Sequence, residues 1–389
     1  MAAAQPAAQP GDGPAIDLAA VGSRSAEGKA FLLKKYGGTP ASESAVSRAL
    51  EWFASIQRRD GSWNFNDVGK ASHAGDVDNP MGATSYVVLA FLGAGETHRE
   101  GRHKANVSQA LNFLVRHARS VPAGADLRGP DPVAHHNFYV QGAAAMALCE
   151  AFNMTKDRRL RVPAQRAIDF IVAAQDPHAG GWRYEPFEAG CTSVTTLQLM
   201  ALISAKTAGF KLPPQTLEQI SHFYDTVQCD GAPTGRYSYR AAERSYKSAS
   251  TAQAALGRMY LGATRDDEDL QAAVALLDHR GPYDNRYYCY YATQVMRNWG
   301  GPEWERWNQS MRDELVRTQV ADEGPARGSW TPLQRGSTDP AGGRLFTTAL
   351  STMTLEVYYR YLPLYETFDG EADVDADAKV AEGGKPAEE

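Results

Sequence analysis

The 389-residue sequence has no excess of positive charge: 40 Lys and Arg against 46 Asp and Glu leave a formal net charge of −6. Without a broad positive field, a nucleic-acid partner is not expected. Cysteine is also scarce. Cys149, Cys191, Cys229 and Cys289 are scattered without a CxxC pair, which argues against a zinc ribbon or a disulfide framework and favours buried free thiols. No apolar run reaches the length of a membrane span without polar interruption, and the start MAAAQPAAQPGDGP lacks a basic region followed by an apolar stretch. The chain therefore reads as soluble and cytoplasmic, with a membrane surface left open as a route of substrate access. Alternating apolar and polar runs, the mark of strands, are equally rare.

What is abundant is helix. Residues 1–40 are rich in Ala, Pro and Gly, and residues 367–389 are acidic and free of aromatics; both are expected as disordered tails flanking a folded body over 41–366. Within that body two kinds of helical segment alternate. Residues 44–57, 107–119, 162–175, 213–228, 266–280 and 302–319 are amphipathic, with charge on one face, and read as outer helices. Residues 82–95, 138–152, 191–205, 248–262, 287–300 and 345–362 are nearly uncharged and rich in Ala, Ser, Thr and Gly. Helices apolar all round are buried, so these read as inner helices. Six hairpins without polar capping repeats at either end predict an all-α, closed (α/α)6 toroid with inner and outer rings rather than an open solenoid.

A second signature recurs at the ends of outer helices. Gln57 leads to Trp63, Gln175 to Trp182, Gln228 to Tyr237 and Gln319 to Trp330, each through a turn containing Gly61, Gly181, Gly235 or Gly328. A Gln amide can both donate to and accept from turn backbone, glycine permits a left-handed turn, and the aromatic covers it. Four copies in register predict staples that lock hairpins together.

These Gln, Gly and aromatic repeats resemble the QW repeats of squalene and hopene cyclases, and residues 42–365 resemble one toroid of the terpenoid cyclase and protein prenyltransferase superfamily. The end GRLFTTALSTMTLEVYYRYLPLY is similar to single-toroid bacterial squalene-cyclase-like proteins with prenyltransferase and squalene oxidase repeats. The resemblance implies an aromatic-lined cavity for an apolar, isoprenoid ligand and, if the chain is an enzyme, an isoprenoid cyclase or transferase. Class II cyclases of that superfamily start a carbocation cascade with an Asp-x-Asp-Asp-Thr-Ala stretch. Here the matching stretch is Glu188 to Val194, which keeps Thr192 and Val194 but none of the aspartates.

Candidate acids remain. Asp76 and Asp78 precede an inner helix; two close carboxylates raise one another's pKa and supply an acid if buried, though the same residues suit helix capping. Glu188 offers another acid or a helix-dipole partner. Cys191, at a helix start, offers a reactive thiol or a small buried cap. Prenyltransferase β subunits hold zinc with an Asp-x-Cys pair and a His; this pattern is missing here, and a divalent metal would need His73, Asp76, His135, His136, Cys191 and Cys289 to converge. No cofactor is expected. Complement-type thioester domains share the toroid, but Gly190 and Cys191 lack the following Gln that forms the bond.

Tyr86, Phe138, Tyr139, Tyr246, Tyr283, Tyr287, Tyr288, Tyr290, Tyr291 and Phe346 cluster near inner-helix starts and are expected at one mouth of the ring, either lining a ligand cavity or filling the centre. Three functions follow as alternatives: an isoprenoid enzyme, a non-catalytic binding or scaffold toroid, and a six-hairpin glycosidase or lyase. The last needs facing carboxylates about 5 to 10 Å apart, for which Asp76, Asp78, Glu185 and Glu188 are the candidates. The outer helices show no heptad seam that would fix an oligomeric state.

Overall fold

A computed structural model describes residues 23–130, 137–229, 234–283, 285–332, 339–362 and 364–365. His135 and His136 and most of both expected tails lie outside these residues. Helix α1 is Ala26–Tyr36; the outer helices are α2 (Pro40–Ser55), α4 (Lys104–His117), α6 (Arg158–Ala173), α8 (Pro214–Val227), α10 (Glu268–Arg280) and α12 (Gly301–Thr318). The inner helices are α3 (Pro80–Gly93), α5 (Asn137–Thr155), α7 (Thr192–Thr207), α9 (Ser248–Tyr260), α11 (Arg286–Trp299) and α13 (Asp339–Leu355), and a short α14 (Val357–Arg360) follows. A two-stranded antiparallel hairpin, β1 (Arg119–Val121) with β2 (Gly124–Asp126), joins α4 to α5.

The division read from charge is the division observed. In α3 every residue from Met81 to Gly93 is buried, whereas α6 buries only one face, through Leu160, Ala164, Ala167, Ile168, Phe170 and Ile171. Each inner helix packs on the next, and α13 packs on α3, so the ring meets itself. The seam is bonded as well as packed: Val77 N donates to Ala341 O at 3.1 Å and Arg344 N to His73 O at 2.8 Å. Gly343 takes φ +57° within α13, where a Cβ would strike Gly75 N at 2.3 Å, so this close approach requires glycine.

Three of the four staples have a common geometry, and the remaining one differs in that Gln228 Nε2 donates to Asp269 Oδ2. Gln57 Nε2 donates to Gly61 O of its own turn and to Asn106 O on the next outer helix, at 2.9 and 3.0 Å. Gln175 does the same with Gly180 O and Thr216 O, at 2.7 and 3.1 Å. Gln319 does so with Gly328 O and Ala45 O, at 2.8 and 2.7 Å, and thereby ties the last hairpin to the first. Trp63, Trp182 and Trp330 each donate from Nε1 to a carbonyl of the preceding outer helix at 2.8 Å. A threonine of the following inner helix, Thr84, Thr195, Thr251 or Thr348, accepts from the backbone N–H of each staple aromatic. In the second staple the left-handed glycine is Gly180, at φ +82°, rather than Gly181.

The N-terminal boundary differs from expectation. Helix α1 lies inside the stretch assigned to a tail; Ser25 caps it, Gly37 ends it in the left-handed conformation, and Leu32 and Tyr36 are buried. Capping and two well-placed apolar residues outweigh the Ala- and Gly-rich composition. Among the described residues no helix is long and apolar enough to cross a membrane.

Candidate functional site

At the mouth formed by the inner-helix starts, the aromatics pack on one another. Tyr86 meets Phe346 edge-on with centroids 4.9 Å apart, Tyr287 lies 5.1 Å from Tyr291, and Phe65 adds contacts to Tyr86 and Phe346. Tyr86, Tyr287, Tyr291 and Phe346 are all buried. Burial pushes the Tyr86 and Tyr287 hydroxyls far above their ordinary pKa, so they stay neutral. Tyr139 hydrogen-bonds Ser193 Oγ at 2.6 Å, and Tyr246, the most exposed of the set, lies near Ser248. Two expected mouth residues are turned elsewhere. Phe138 stacks on Phe170 of an outer helix, 6.0 Å away, and Tyr288 packs on Trp307 of another, also at 6.0 Å. One inner-helix residue in each pair faces the gap between the rings rather than the axis.

The candidate acids do not form a buried pair. Asp76 and Asp78 are exposed, and Asp78 Oδ1 accepts from Asn64 Nδ2 at 2.6 Å while Asn79 caps α3 through Gly82 N. Glu188 accepts from Arg183 and from the backbone N–H groups of Tyr184 and Glu185, at 3.1 and 3.2 Å, so it organises its own turn. Glu185 pairs with Arg128 at 3.1 Å. Cys191 is fully buried at the start of α7, and desolvation raises its pKa despite hydrogen bonds that favour the thiolate; the helix N-terminus does not activate it. The described members of the metal set do not assemble either. His73 bonds Ser72 and Arg344, Cys289 Sγ contacts Tyr283 O at 3.3 Å, and among the described residues no three His, Cys, Asp or Glu side chains gather to hold a metal.

The opposite mouth, where the inner helices end, holds what the sequence reading missed: a cavity of about 740 Å³. Met154, Met200, Ile203, Val357, Leu362 and Leu364 supply apolar lining, and Arg24, Glu150, Gln294, Arg297, Asn298 and Arg360 supply polar lining. Arg24 comes from the segment just before α1 and reaches Glu150 Oε2 at 2.9 Å, Leu92 O at 3.0 Å and Arg360 O at 2.7 Å. Arg360 contacts both Glu150 oxygens, at 3.1 and 3.2 Å, and Glu356 Oε2 at 3.0 Å; Tyr361 donates to Glu150 Oε1 at 2.6 Å.

Burial opposes charge on Glu150, but Arg360, Arg24 and the Tyr361 hydroxyl outweigh it and hold the carboxyl below its ordinary pKa. Glu356 has the opposite balance: desolvation dominates and pushes it up to about 8, against the pull of Arg360. The ionised Glu150 thus serves two arginines while Glu356 is largely neutral at pH 7. The signal for this cluster was present in the sequence. Glu150 and Arg297 are each the single charge of an inner segment, and Glu356 and Arg360 the only two of another, and a buried charge survives only with partners.

No sequence-family model matches the chain, and no curated protein matches it by sequence. Solved structures match it in fold. A cellobiose 2-epimerase from Spirochaeta thermophila aligns with a TM-score of 0.58 at 13% identity, covering 85% of this chain and 98% of that one. The α-1,6-mannanase GH76A from Salegentibacter aligns at 0.56 and 11% identity, covering 82% and 98%. The type II terpene cyclase MstE from Scytonema aligns at 0.53 and 13% identity, covering 84% and 100%. At such identities the likeness concerns architecture alone. Six pairs of helices, an inner ring that meets itself and these structural neighbours together make the chain an α/α toroid, of the fold class that includes type II terpene cyclases.

Proposed function

We propose that this chain is a ligand-binding toroid whose site is the cavity at the inner-helix ends, and that its ligand is an apolar small molecule of the isoprenoid kind. One observation carries the reading: a partly open cavity of about 740 Å³, within the size range of small-molecule sites, is lined by apolar side chains of α5, α7, α14 and the segment after it, with a fixed charge cluster beside them. A structure of the terpene cyclase MstE holds its product, merosterolic acid A, which supports a toroid of this size accommodating a terpenoid. Binding is favoured over cyclisation because the position matching the cyclase acid carries Cys191 and its neighbours, and because Asp76 and Asp78 are solvent-exposed.

The saccharide-active neighbours offer a second comparison, with one mannanase structure bound to α-1,6-mannotriose. A glycosidase would require carboxylates facing each other across a groove. Glu185 and Glu188 are instead engaged by Arg128 and Arg183.

Organic extraction of the purified full chain, with mass spectrometry of the extract, tests the reading, followed by uptake of farnesol by the wild type and by Met200→Trp and Ile203→Trp. The wild type should take up the isoprenoid and both tryptophan variants, which fill the cavity, should lose it. Equal uptake by all three proteins, or none by the wild type, would overturn the assignment.

A further inference from the structure

Positive charge gathers on one side of the cavity's mouth. Helices α3, α5 and α7 adjoin in the inner ring, and the turn after each reaches the cavity, as Gly95, Thr155 and Thr207 show. The first turn carries Arg99, Arg102 and Lys104, the second Lys156, Arg158, Arg159 and Arg161, and the third Lys206 and Lys211; all these side chains are exposed. Against them stand only Glu96, Glu100 and the buried Asp157. The turns form one surface: His98 of the first lies 2.9 Å from Asp157 of the second, and Arg161 of the second lies over the Phe210 ring of the third at 5.9 Å. Arg99 and Arg159 share Asp157, and Arg102 pairs with Glu51. Among the described residues Lys104, Lys156, Arg158, Arg161, Lys206 and Lys211 form no ion pair, so their field is uncompensated.

The other side of the mouth is acidic, and the chain leaves there. Helices α9 and α11 stand across the ring from α3 and α5, and the turn after α9 exposes Asp266, Asp267 and Glu268 beside Arg265. Leu364 N donates to Asn298 Oδ1 at 3.2 Å, Tyr365 donates to Ala263 O at 2.5 Å, and Arg265 lies 5.5 Å above the Tyr365 ring. Residues 366–389 follow, with nine Asp and Glu against two Lys, a net −7 that exceeds the −6 of the entire chain. Six of the acids, Glu366, Asp369, Glu371, Asp373, Asp375 and Asp377, fall in twelve residues without a Lys or Arg. Like charge in the turn after α9 repels this segment from its point of exit, and the basic turns across the mouth attract it. Twenty-four residues span up to about 80 Å, and the tether makes the encounter intramolecular.

We propose that residues 366–377 dock on the basic turns after α3, α5 and α7 and form an acidic strap across the cavity's mouth. A flat anionic membrane fits less well, because the acidic turn after α9 stands at the same end of the ring. The docking follows from charge and tether; that the strap gates uptake is a consequence resting on the binding reading above.

Carbodiimide coupling, which joins a carboxylate to a lysine only in direct contact, tests the strap in the full-length protein, with peptide mass spectrometry of the monomer band. Cross-links from residues 366–377 to Lys104, Lys156, Lys206 and Lys211 should exceed those to the exposed Lys34, Lys35 and Lys70 about tenfold. Raising the salt from about 0.05 M to about 1 M, where the screening length is about 3 Å, should reduce them severalfold. Arg158→Glu with Arg161→Glu should lower them about tenfold and speed farnesol uptake. Cross-links spread evenly over all lysines, or unmoved by salt, overturn the strap. Cross-links confined to a dimer band assign the segment to a second copy and overturn it as well. No cross-links, with salt-sensitive binding of the wild type to phosphatidylglycerol vesicles, transfers the surface to lipid. Cross-links lost in the double variant without a change in farnesol uptake overturn the gating and leave the docking intact. The lysine and salt comparisons are made on the wild type, so they do not depend on the variant folding.

Discussion

Gln319 is the staple that joins the last hairpin to the first, and replacing it tests whether ring closure stabilises this fold. Gln319→Leu keeps the volume but removes three hydrogen bonds: to Ala45 O at 2.7 Å, to Gly328 O at 2.8 Å, and from Arg48 Nε at 2.9 Å. Ala45 lies inside α2 and retains its helical partner, so its loss is a net bond of about 1 kcal/mol. Gly328 O is stranded in a buried turn, at a cost of about 1 to 3 kcal/mol. Arg48 is partly exposed and its Nε turns to water at little cost, so the sum is about 3 kcal/mol. Gln228→Leu is the internal control. Gln228 Nε2 donates to Asp269 Oδ2 at 2.6 Å, and that carboxylate also accepts from Thr234 N and Gly235 N, so it stays satisfied and the cost is about 1 kcal/mol. Urea denaturation followed by circular dichroism measures the difference, and amide hydrogen exchange locates it. Exchange should accelerate in α2 and α12 for Gln319→Leu and not for Gln228→Leu. Equal destabilisation by the two substitutions, or exchange spread evenly over the ring, would refute the idea that this seam is held by its staple.

Four further outcomes are expected. Gly180→Ala forces a left-handed alanine whose Cβ lies 2.2 Å from Gln219 O, so it should destabilise by about 2 kcal/mol or more in urea titrations, whereas Gly209→Ala, also left-handed but with open space around it, should cost about 1 kcal/mol. Glu150→Gln leaves the buried Arg360 and the part-buried Arg24 undercompensated and should lower stability by about 3 to 5 kcal/mol, while Glu356→Gln, which mimics the protonated acid, should change it by less than about 1 kcal/mol at pH 4.5. Glu356 also sets a pH dependence: its folded pKa of about 8 exceeds the ordinary 4.5, so its contribution is fully present below 4.5 and is lost as pH rises towards 8. Glu356→Gln should therefore gain stability relative to the wild type across that window, and a constant difference in urea midpoint would contradict this. Asp76→Asn with Asp78→Asn should leave stability and farnesol uptake unchanged within about 0.5 kcal/mol, as exposed residues do.

The outer and inner helices were legible because burial acts on composition: a helix enclosed on all sides, such as residues 82–95, shows few charges, and one exposed on a single face, such as 162–175, shows them periodically. The staples were legible because each is local, with Gln and aromatic separated by one turn. The second hairpin hides its equivalent. There Gln141, on an inner helix, donates to Ala125 O and Ala167 O at 3.1 and 3.0 Å, so a residue distant in sequence bridges its turn to the next outer helix. Helix α1 was obscured by its composition, although Ser25 and Gly37 bracket it as caps.

The candidate site was harder to read, for a geometric reason. Each inner helix contributes few residues to either mouth, and neighbours in the cavity such as Arg24, Glu150, Gln294 and Arg360 are separated by long stretches of chain. Aromatics are dense at the inner-helix starts, which marks that mouth in the sequence, and those side chains pack on one another.

By itself the sequence determined the helical class, the sixfold alternation and the staple positions, since these depend on interactions within a turn or on the burial of one face. Tertiary structure alone decided which mouth is open, because that depends on how side chains from several hairpins meet. It also decided the ionisation of Glu150 and Glu356: the same carboxyl chemistry is charged in one case and largely neutral in the other, according to how many donors from remote helices reach it against the same cost of burial.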